Sequence, residues 1–334
     1  MRVPVIGGTR FIGPPVVRRL EALGHDITIL HRGETEVALP RMVQHIHVDR
    51  ERLSEVRNEI GQAAPDVVID MSALTEVDAQ AVVEAVRGVA MRLVIVSSQD
   101  VYRAFGRFHE TEPGPLEPLP ATEDSALRTT LYPYRGQIAG LDDYDKVLAE
   151  RAAMNAPDLP ATSLRLPAIY GEGDYQHRLA IELRRMDDGR PAIILDERLA
   201  VWRWTRAYVE NAAAAIVLAA TDERAAGRIY NAGDDALSYA DWVRAVGDAA
   251  GWNGEVVMLR SERPPKHLRP PPGDYAQHLI ADTSRIREEL GYEDVVPLSE
   301  GLRRAIEWER ANRGEINPRL LDYAAEGALL EKLA

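Results

Sequence analysis

The sequence predicts an α/β protein: a doubly wound parallel sheet with a smaller C-terminal α/β lobe. Three observations carry this expectation. Short β-branched runs alternate with amphipathic stretches over the first 170 residues. A glycine-rich turn joins the first strand to the first helix, and after Pro167 the pattern loosens and is broken by prolines.

Strands are expected at Arg2–Ile6, Asp26–Leu30, Gln44–Val48, Asp66–Met71, Leu93–Ser97 and Thr162–Leu166. Between the first two, Val16, Val17, Leu20 and Leu23 fall on one helical face. Pro4 stands inside the first strand, where a missing N–H is hard to accommodate in a central position. Further on, Ala207–Ala220 reads as an alanine-rich helix and Arg228–Asn231 as a short strand. Tyr239–Ala250, Ser284–Leu290 and Ser299–Asn312 read as helices. The proline-rich stretches Pro113–Pro120 and Pro264–Pro272 are expected to be loops.

Composition excludes several classes of function. A net charge of −13 over 334 residues argues against DNA or RNA as partners, because phosphate neutralisation needs basic patches. The absence of cysteine removes disulfides, thiolate metal ligands and thiol nucleophiles. No apolar run approaches the roughly 20 residues of a membrane span, and no secretory pattern opens the chain, so a cytoplasmic location is expected.

The turn reads Val5-Ile6-Gly7-Gly8-Thr9-Arg10-Phe11-Ile12-Gly13. Gly7 lets the chain turn tightly, the following helix N-terminus offers N–H groups to a pyrophosphate, and Gly13 lets that helix approach the sheet. Pro14 and Pro15 fit the first helical turn, whose N–H groups have no intrahelical partner. The second strand ends at His31-Arg32-Gly33 about 20 residues later, the spacing of a Rossmann-type dinucleotide domain. An acidic residue at that strand end would bind the ribose hydroxyls of NAD. Arg32 there, and Arg10 in the turn, suit a 2′-phosphate instead, so NADP is expected over NAD.

These residues resemble the extended short-chain dehydrogenase/reductases, the NAD(P)-dependent epimerase/dehydratase family. The likeness covers nearly the whole chain, and the variant glycine motif resembles an atypical branch that includes chloroplast stem-loop RNA-binding proteins. Arg10 stands where the family's middle glycine usually does. The resemblance implies that Gly7, Thr9, Arg10, Phe11, Ile12, Gly13 and Arg32 hold the cofactor. Asp49 would contact adenine, and Met71-Ser72-Ala73 would pass beneath the cofactor. Ser98, within Val94 to Tyr102, would be the catalytic serine, and Pro167 would touch nicotinamide. Residues 1–170, rejoined by 205–235, would bind the cofactor, with 171–204 and 236–334 forming the substrate lobe. Tyr102, Arg203 and Arg269 are the expected substrate contacts, Arg269 because it precedes a Gly-Asp turn as the family's diphosphate-gripping arginine does. Arg206, Arg260, Arg263 and Lys266 add cationic groups, and Trp202, Trp204 and Trp242 belong either to a pocket or to the core. Homodimers would form through Glu76–Arg87 and Tyr144–Asn155.

The family's catalytic pair is Tyr-x-x-x-Lys, a spacing that puts both side chains on one helical face. Lys146 fits the lysine, which would also hold the cofactor ribose, but Asp142 stands four residues earlier. Tyr144 lies on the opposite face unless the helix begins near Asp145 and leaves Tyr144 in the preceding turn. Tyr134 is a second tyrosine within reach from a loop. Three readings follow: Tyr144 or Tyr134 moves the proton, Asp142 does so with its pKa raised by burial, or the chain binds cofactor without turnover as a regulatory or RNA-associated protein. No metal is expected, since His45 and His47 alternate on a strand with no third ligand in view. No Gly-x-Ser-x-Gly elbow surrounds Ser98, which argues against a serine hydrolase. The expected activity is hydride transfer between NAD(P) and a hydroxyl or carbonyl of a small molecule, nucleotide-linked sugars among them.

Overall fold

The computed structural model describes residues 1–35, 37–261 and 264–333. The first half runs β1 (Arg2–Ile6), α1 (Gly13–Ala22), β2 (Asp26–His31), β3 (Gln44–His47), α2 (Arg57–Gln62), β4 (Val68–Asp70) and α3 (Glu76–Val86). It continues with β5 (Leu93–Ser98), α4 (Arg103–Phe108), α5 (Lys146–Met154) and β6 (Ala161–Leu166). Then follow β7 (Ala168–Tyr170), α6 (Ala180–Asp187), β8 (Ala192–Asp196), α7 (Glu197–Val201), β9 (Arg203–Trp204), β10 (Arg206–Tyr208) and α8 (Val209–Thr221). The chain closes with β11 (Ile229–Asn231), β12 (Leu237–Ser238), α9 (Tyr239–Ala250), β13 (Glu255–Leu259), α10 (Ser284–Leu290), α11 (Leu298–Ala311) and α12 (Tyr323–Leu333).

Seven parallel strands form the central sheet in the order β11-β6-β5-β4-β1-β2-β3. The order reverses at β1, and in such sheets ligands bind outside the carboxyl ends of the strands beside that switch point. Alternation along each strand feeds two cores. Val3, Val5, Ile29, Val94 and Leu164 meet Val16, Val17 and Leu20 of α1 and Ile216 of α8 on one face. Ile6, Leu30, Val68 and Ile95 meet Val82 and Val86 of α3 and Ala149 and Ala153 of α5 on the other.

Pro4 is tolerated for a local reason. Arg2 and Ile6, which share its parity, bond toward the segment that leads into and out of β4. The regular β1–β4 ladder begins only at Val5–Ile69, so the missing N–H falls between the Arg2–Asp66 bonds and the start of that ladder. The alanine-rich helix starts at Val209 rather than Ala207, because Arg206–Tyr208 pair in parallel with Ala168–Tyr170. Outside the main sheet β8 pairs with β13, and β9 pairs antiparallel with β12. No described helix is long and apolar enough to cross a membrane.

A buried polar knot ties α5 to the sheet. Arg165 in β6 forms a two-pronged ion pair with Glu150 of α5, at 2.9 and 2.8 Å, and Ser163 donates to the same carboxylate at 2.9 Å. The remaining Arg165 nitrogen donates to the Tyr102 hydroxyl at 3.1 Å and to the Glu123 carbonyl at 3.0 Å.

Candidate active site

The glycine turn is built by contact as well as by conformation. Gly7 and Gly8 sit at φ of +86° and +88°, where a side chain is strained. Gly13 has no such φ, but a Cβ there would lie 2.3 Å from the Cα of Gly8. The Gly13 amide donates to the Arg10 carbonyl at 2.9 Å. Prolines occupy the first helical positions after it, so those positions carry no N–H to satisfy. Replacing Gly13 with Ala is therefore expected to displace the turn, costing about 1–3 kcal/mol of stability and weakening nucleotide binding together. Urea unfolding and nucleotide titration of the same variant check this.

Beside the turn, Ser72 caps the space over Gly7, its Oγ 3.0 Å from where a Cβ would stand. Ser72 is held by Arg50, which donates to its hydroxyl at 2.6 Å and to both oxygens of the fully buried Asp70, at 2.6 and 3.1 Å. Sequence reasoning missed Arg50. Asp49 beside it accepts from the Glu51 amide at 3.1 Å, capping the short helical turn that follows β3.

The second half of the site gathers at the ends of β4 and β5. Helix α5 begins at Lys146, with the buried Asp145 as its cap, accepting from the amides of Val147 and Leu148. Asp145 also accepts from the Tyr132 amide at 2.7 Å, which ties the preceding loop to the helix entrance. Tyr144 consequently lies in the turn before the helix, and its hydroxyl donates to Asp100 Oδ2 at 2.6 Å. The neighbouring Ser98 side chain acts on the same phenol in the lowering direction. The Tyr134 hydroxyl reaches the same Asp100 oxygen at 3.5 Å, its ring 5.1 Å from that of Tyr144. Burial, and then the Asp100 charge, hold both phenols above their ordinary range. Burial likewise raises the Asp100 carboxyl, opposed by Arg128, and its Oδ1 has no partner.

Lys146 is buried between the two strand ends, donating to the carbonyls of Ala73 at 2.6 Å and Val96 at 3.0 Å. An ammonium has three donors, so one is left over. Burial lowers its pKa. A cavity of about 140 Å³ opens beside the cluster, lined among others by Asp100, Arg128, Tyr134, His109, Thr111 and Gln137. Asp100 lies within residues 94–102, where nothing in its local sequence marks it as a site residue. A position that reads as turn-forming in sequence carries the carboxylate on which both tyrosines converge.

A family model described as the NAD dependent epimerase/dehydratase family matches residues 3–233. The chain belongs to that family. Among curated relatives, 2'-dehydrokanamycin reductase of Streptomyces kanamyceticus is 28% identical over 290 residues, covering 85% of this chain and 75% of the relative. Chloroplast stem-loop binding protein of 41 kDa b from Arabidopsis thaliana is 22% identical over 324 residues, 90% of this chain and 77% of the relative. Among solved structures, dTDP-glucose 4,6-dehydratase from Bacillus anthracis in complex with NAD superposes with a TM-score of 0.67 at 17% identity, covering 94% of this chain and 97% of that one.

For a member of the epimerase/dehydratase family, several expected site residues are placed differently. Asp142 is exposed and accepts from the Gly136 amide at 2.8 Å, so the burial that an acid/base role there requires is lacking. Tyr102 lies inside the fold, away from the cavity beside Asp100. It is 2% exposed, its hydroxyl donates to Asn231 at 2.7 Å and accepts from Arg165, and burial pushes it up to about 12. Arg203 and Arg269 are exposed and bond locally. Arg203 donates to the Ala236 carbonyl at 2.8 Å and Arg269 to the Pro264 carbonyl at 3.1 Å, and neither lines the cavity.

Arg206 is buried against the rings of Trp204, Tyr239 and Trp242, and Arg260 pairs with Glu197 on the surface. Lys266 is exposed, and Arg263 lies outside the described residues. Trp202 and Trp242 belong to the core, with Trp202 stacked on Phe108 at 4.8 Å. Arg10 and Arg32 flank the end of β2, Arg10 bonding the Thr35 hydroxyl at 3.1 Å and Arg32 pairing with Glu34 at 2.9 Å. Phe11 sets its ring edge-on to Tyr175, Thr9 and Ile12 are half-buried in the turn, and Pro167 follows the carboxyl end of β6. The expectation that His45 and His47 lack a third ligand is also corrected, because β2 brings His31 beside them.

Proposed function

We propose that this chain is an NAD(P)-dependent oxidoreductase that reduces a ring-borne carbonyl of a small sugar-like molecule, with Tyr144 as the proton donor. One observation carries the reading: Tyr144 bonds Asp100, whose amide bonds Ser98 and whose charge reaches Lys146, although no Tyr-x-x-x-Lys is present, because the helix begins at Lys146. The glycine cradle and the spare Lys146 donor suit a dinucleotide, whose nicotinamide would supply the hydride. Burial keeps Tyr144 in its protonated, donor form. Asp100 and Tyr134 then link it to the cavity as a route by which its proton is restored. Ser98 Oγ accepts from the Asp100 amide at 3.1 Å, which leaves its own proton free for the Tyr144 and substrate oxygens.

In this reading residues 1–170 with 205–235 hold the cofactor, and 171–204 with 236–334 shape the substrate side. Self-association through α3 and α5 would use Val77, Val83 and Leu148, since Val82, Val86 and Val147 are already consumed in the core. NADPH oxidation by the purified chain with ketosugars, free and nucleotide-linked, is the direct test. Turnover with none of them would favour a cofactor-binding protein without this chemistry.

Arg10 and Arg32 support NADP as the cofactor. Charge-assisted bonds to a 2′-phosphate contribute about 1.5–3 kcal/mol, roughly ten- to a hundredfold in affinity. Arg32→Ala and Arg10→Ala are expected to weaken NADPH by that range and leave NADH nearly unchanged, as read by fluorescence titration. Tighter binding of NADH than NADPH by the unmodified chain would sink the preference.

A further inference from the structure

At the free edge of the sheet, three imidazoles meet. His45 and His47 are separated by one residue on β3, so both project from the same face. In the parallel register His31 of β2 stands opposite His47, and Ile29 opposite His45. His31 therefore shares that face, and its ring lies 5.1 Å from His45 and 4.8 Å from His47, centroid to centroid. One ring nitrogen of each lies within 4.8 Å of the others. Among the described residues these form a group of metal-ligating side chains apart from the Ser98–Tyr144 cluster, and the mechanism proposed above makes no use of them.

We propose that His31, His45 and His47 form a binding site for a borderline divalent transition metal such as Zn²⁺, Ni²⁺ or Co²⁺. Imidazole nitrogen suits these ions. Metal–nitrogen bonds of about 2.0–2.1 Å place donors roughly 3.4 Å apart in a tetrahedron. The His31–His45 nitrogens stand 2.9 Å apart and the widest pair 4.8 Å, so rotation of exposed rings by a few tenths of an ångström to about 1 Å closes the set. Nothing needs unfolding, since His45 and His47 are exposed and His31 is half-buried.

The hydrogen bonds show what the ion replaces. The Gly33 amide donates to His31 Nδ1 at 3.2 Å, which leaves the proton of a neutral ring on Nε2, where it faces His45 Nδ1. Binding through His31 Nε2 moves that proton to Nδ1 and gives up the long Gly33 bond, while His45 Nδ1 is already a free electron pair. No proton is lost. Three protein nitrogens leave a fourth position open to solvent, the pattern of a site that keeps water or another small ligand. The ion would also clip the edge strand β3 to β2.

The test is calorimetric titration of the full-length, chelator-stripped chain with Zn²⁺ in the absence of nucleotide, so that the outcome is independent of the cofactor reading. One equivalent is expected to bind. His45→Gln and His47→Gln are each expected to lose at least roughly tenfold in affinity, the scale at which even supporting residues of metal sites act. The double variant should lose the site. As a second signature, Co²⁺ should give a visible ligand-field band with the unmodified chain that the double variant lacks. Both positions are exposed, so circular dichroism of the variants should match the parent. Failure to saturate at one equivalent, or Zn²⁺ affinity and a Co²⁺ band unchanged in the double variant, would overturn the proposal.

Discussion

Replacing Tyr144 with Phe is expected to lower kcat by about 10²–10⁴-fold, the range for loss of a positioned general acid. Nucleotide affinity and the urea midpoint should stay near the parent values. The lost group is one hydroxyl, whose bond runs to Asp100 rather than to the glycine cradle. Asp100 already carries one unpartnered oxygen, and burial favours its neutral form, so it can absorb the loss by taking a proton. Tyr134→Phe should cost much less, because its hydroxyl stands 3.5 Å from the carboxylate. A larger loss for Tyr134→Phe would exchange the two roles.

The pH profile gives the same argument a sign. Burial and the Asp100 charge raise the Tyr144 phenol, so its donor form persists across neutral pH and reduction should slow only in alkali. Asp100→Asn removes the charge that disfavours tyrosinate, and the alkaline limb of kcat should move to lower pH. An unmoved limb would separate Asp100 from proton transfer. Tyr144 and Asp100 are hydrogen-bonded, so any measured pKa belongs to the pair.

The second large effect is structural. Glu150→Leu should destabilise the chain by about 3–5 kcal/mol, because it strands the Arg165 guanidinium without its counter-charge. Arg165 is 1% exposed, so water cannot take over the lost bonds without opening the sheet. Arg165→Met combined with Glu150→Leu should recover a large part of the loss, since removing both charges also removes their desolvation cost. Urea unfolding of the two singles and the double forms a cycle that reads the coupling. Full additivity would mean the pair does not act as a unit.

Periodicity carried much of the fold. β1, α9 and α10 coincide with their expected spans, because alternation and caps such as Ser238 and Gly251 are local signals. Asp66–Met71 shortens to Val68–Asp70, since the apolar run does not show where pairing with β1 and β5 begins. The glycine turn was legible for the same local reason. The candidate cluster was only half legible: Ser98 and Lys146 came with their motifs, but Asp100 is bonded by tyrosines 34 and 44 residues away in sequence. Arg50 and His31 were missed in the same manner. Arg50 meets an aspartate 20 residues on, and His31 meets His47 only because β2 and β3 pair in one particular register.

Asp145 holds the Tyr132 amide with one oxygen and the first α5 amides with the other. A single carboxylate thus docks the long arm that carries Tyr134 and Tyr144, independently of how many residues that arm contains. If Tyr144 is the proton donor, classification schemes that demand the tyrosine at a fixed offset from the lysine will file such chains as inactive. A better filter asks for an acidic cap directly before the lysine and any tyrosine just upstream of it. Homologues sorted that way would be worth assaying before being set aside as pseudoenzymes.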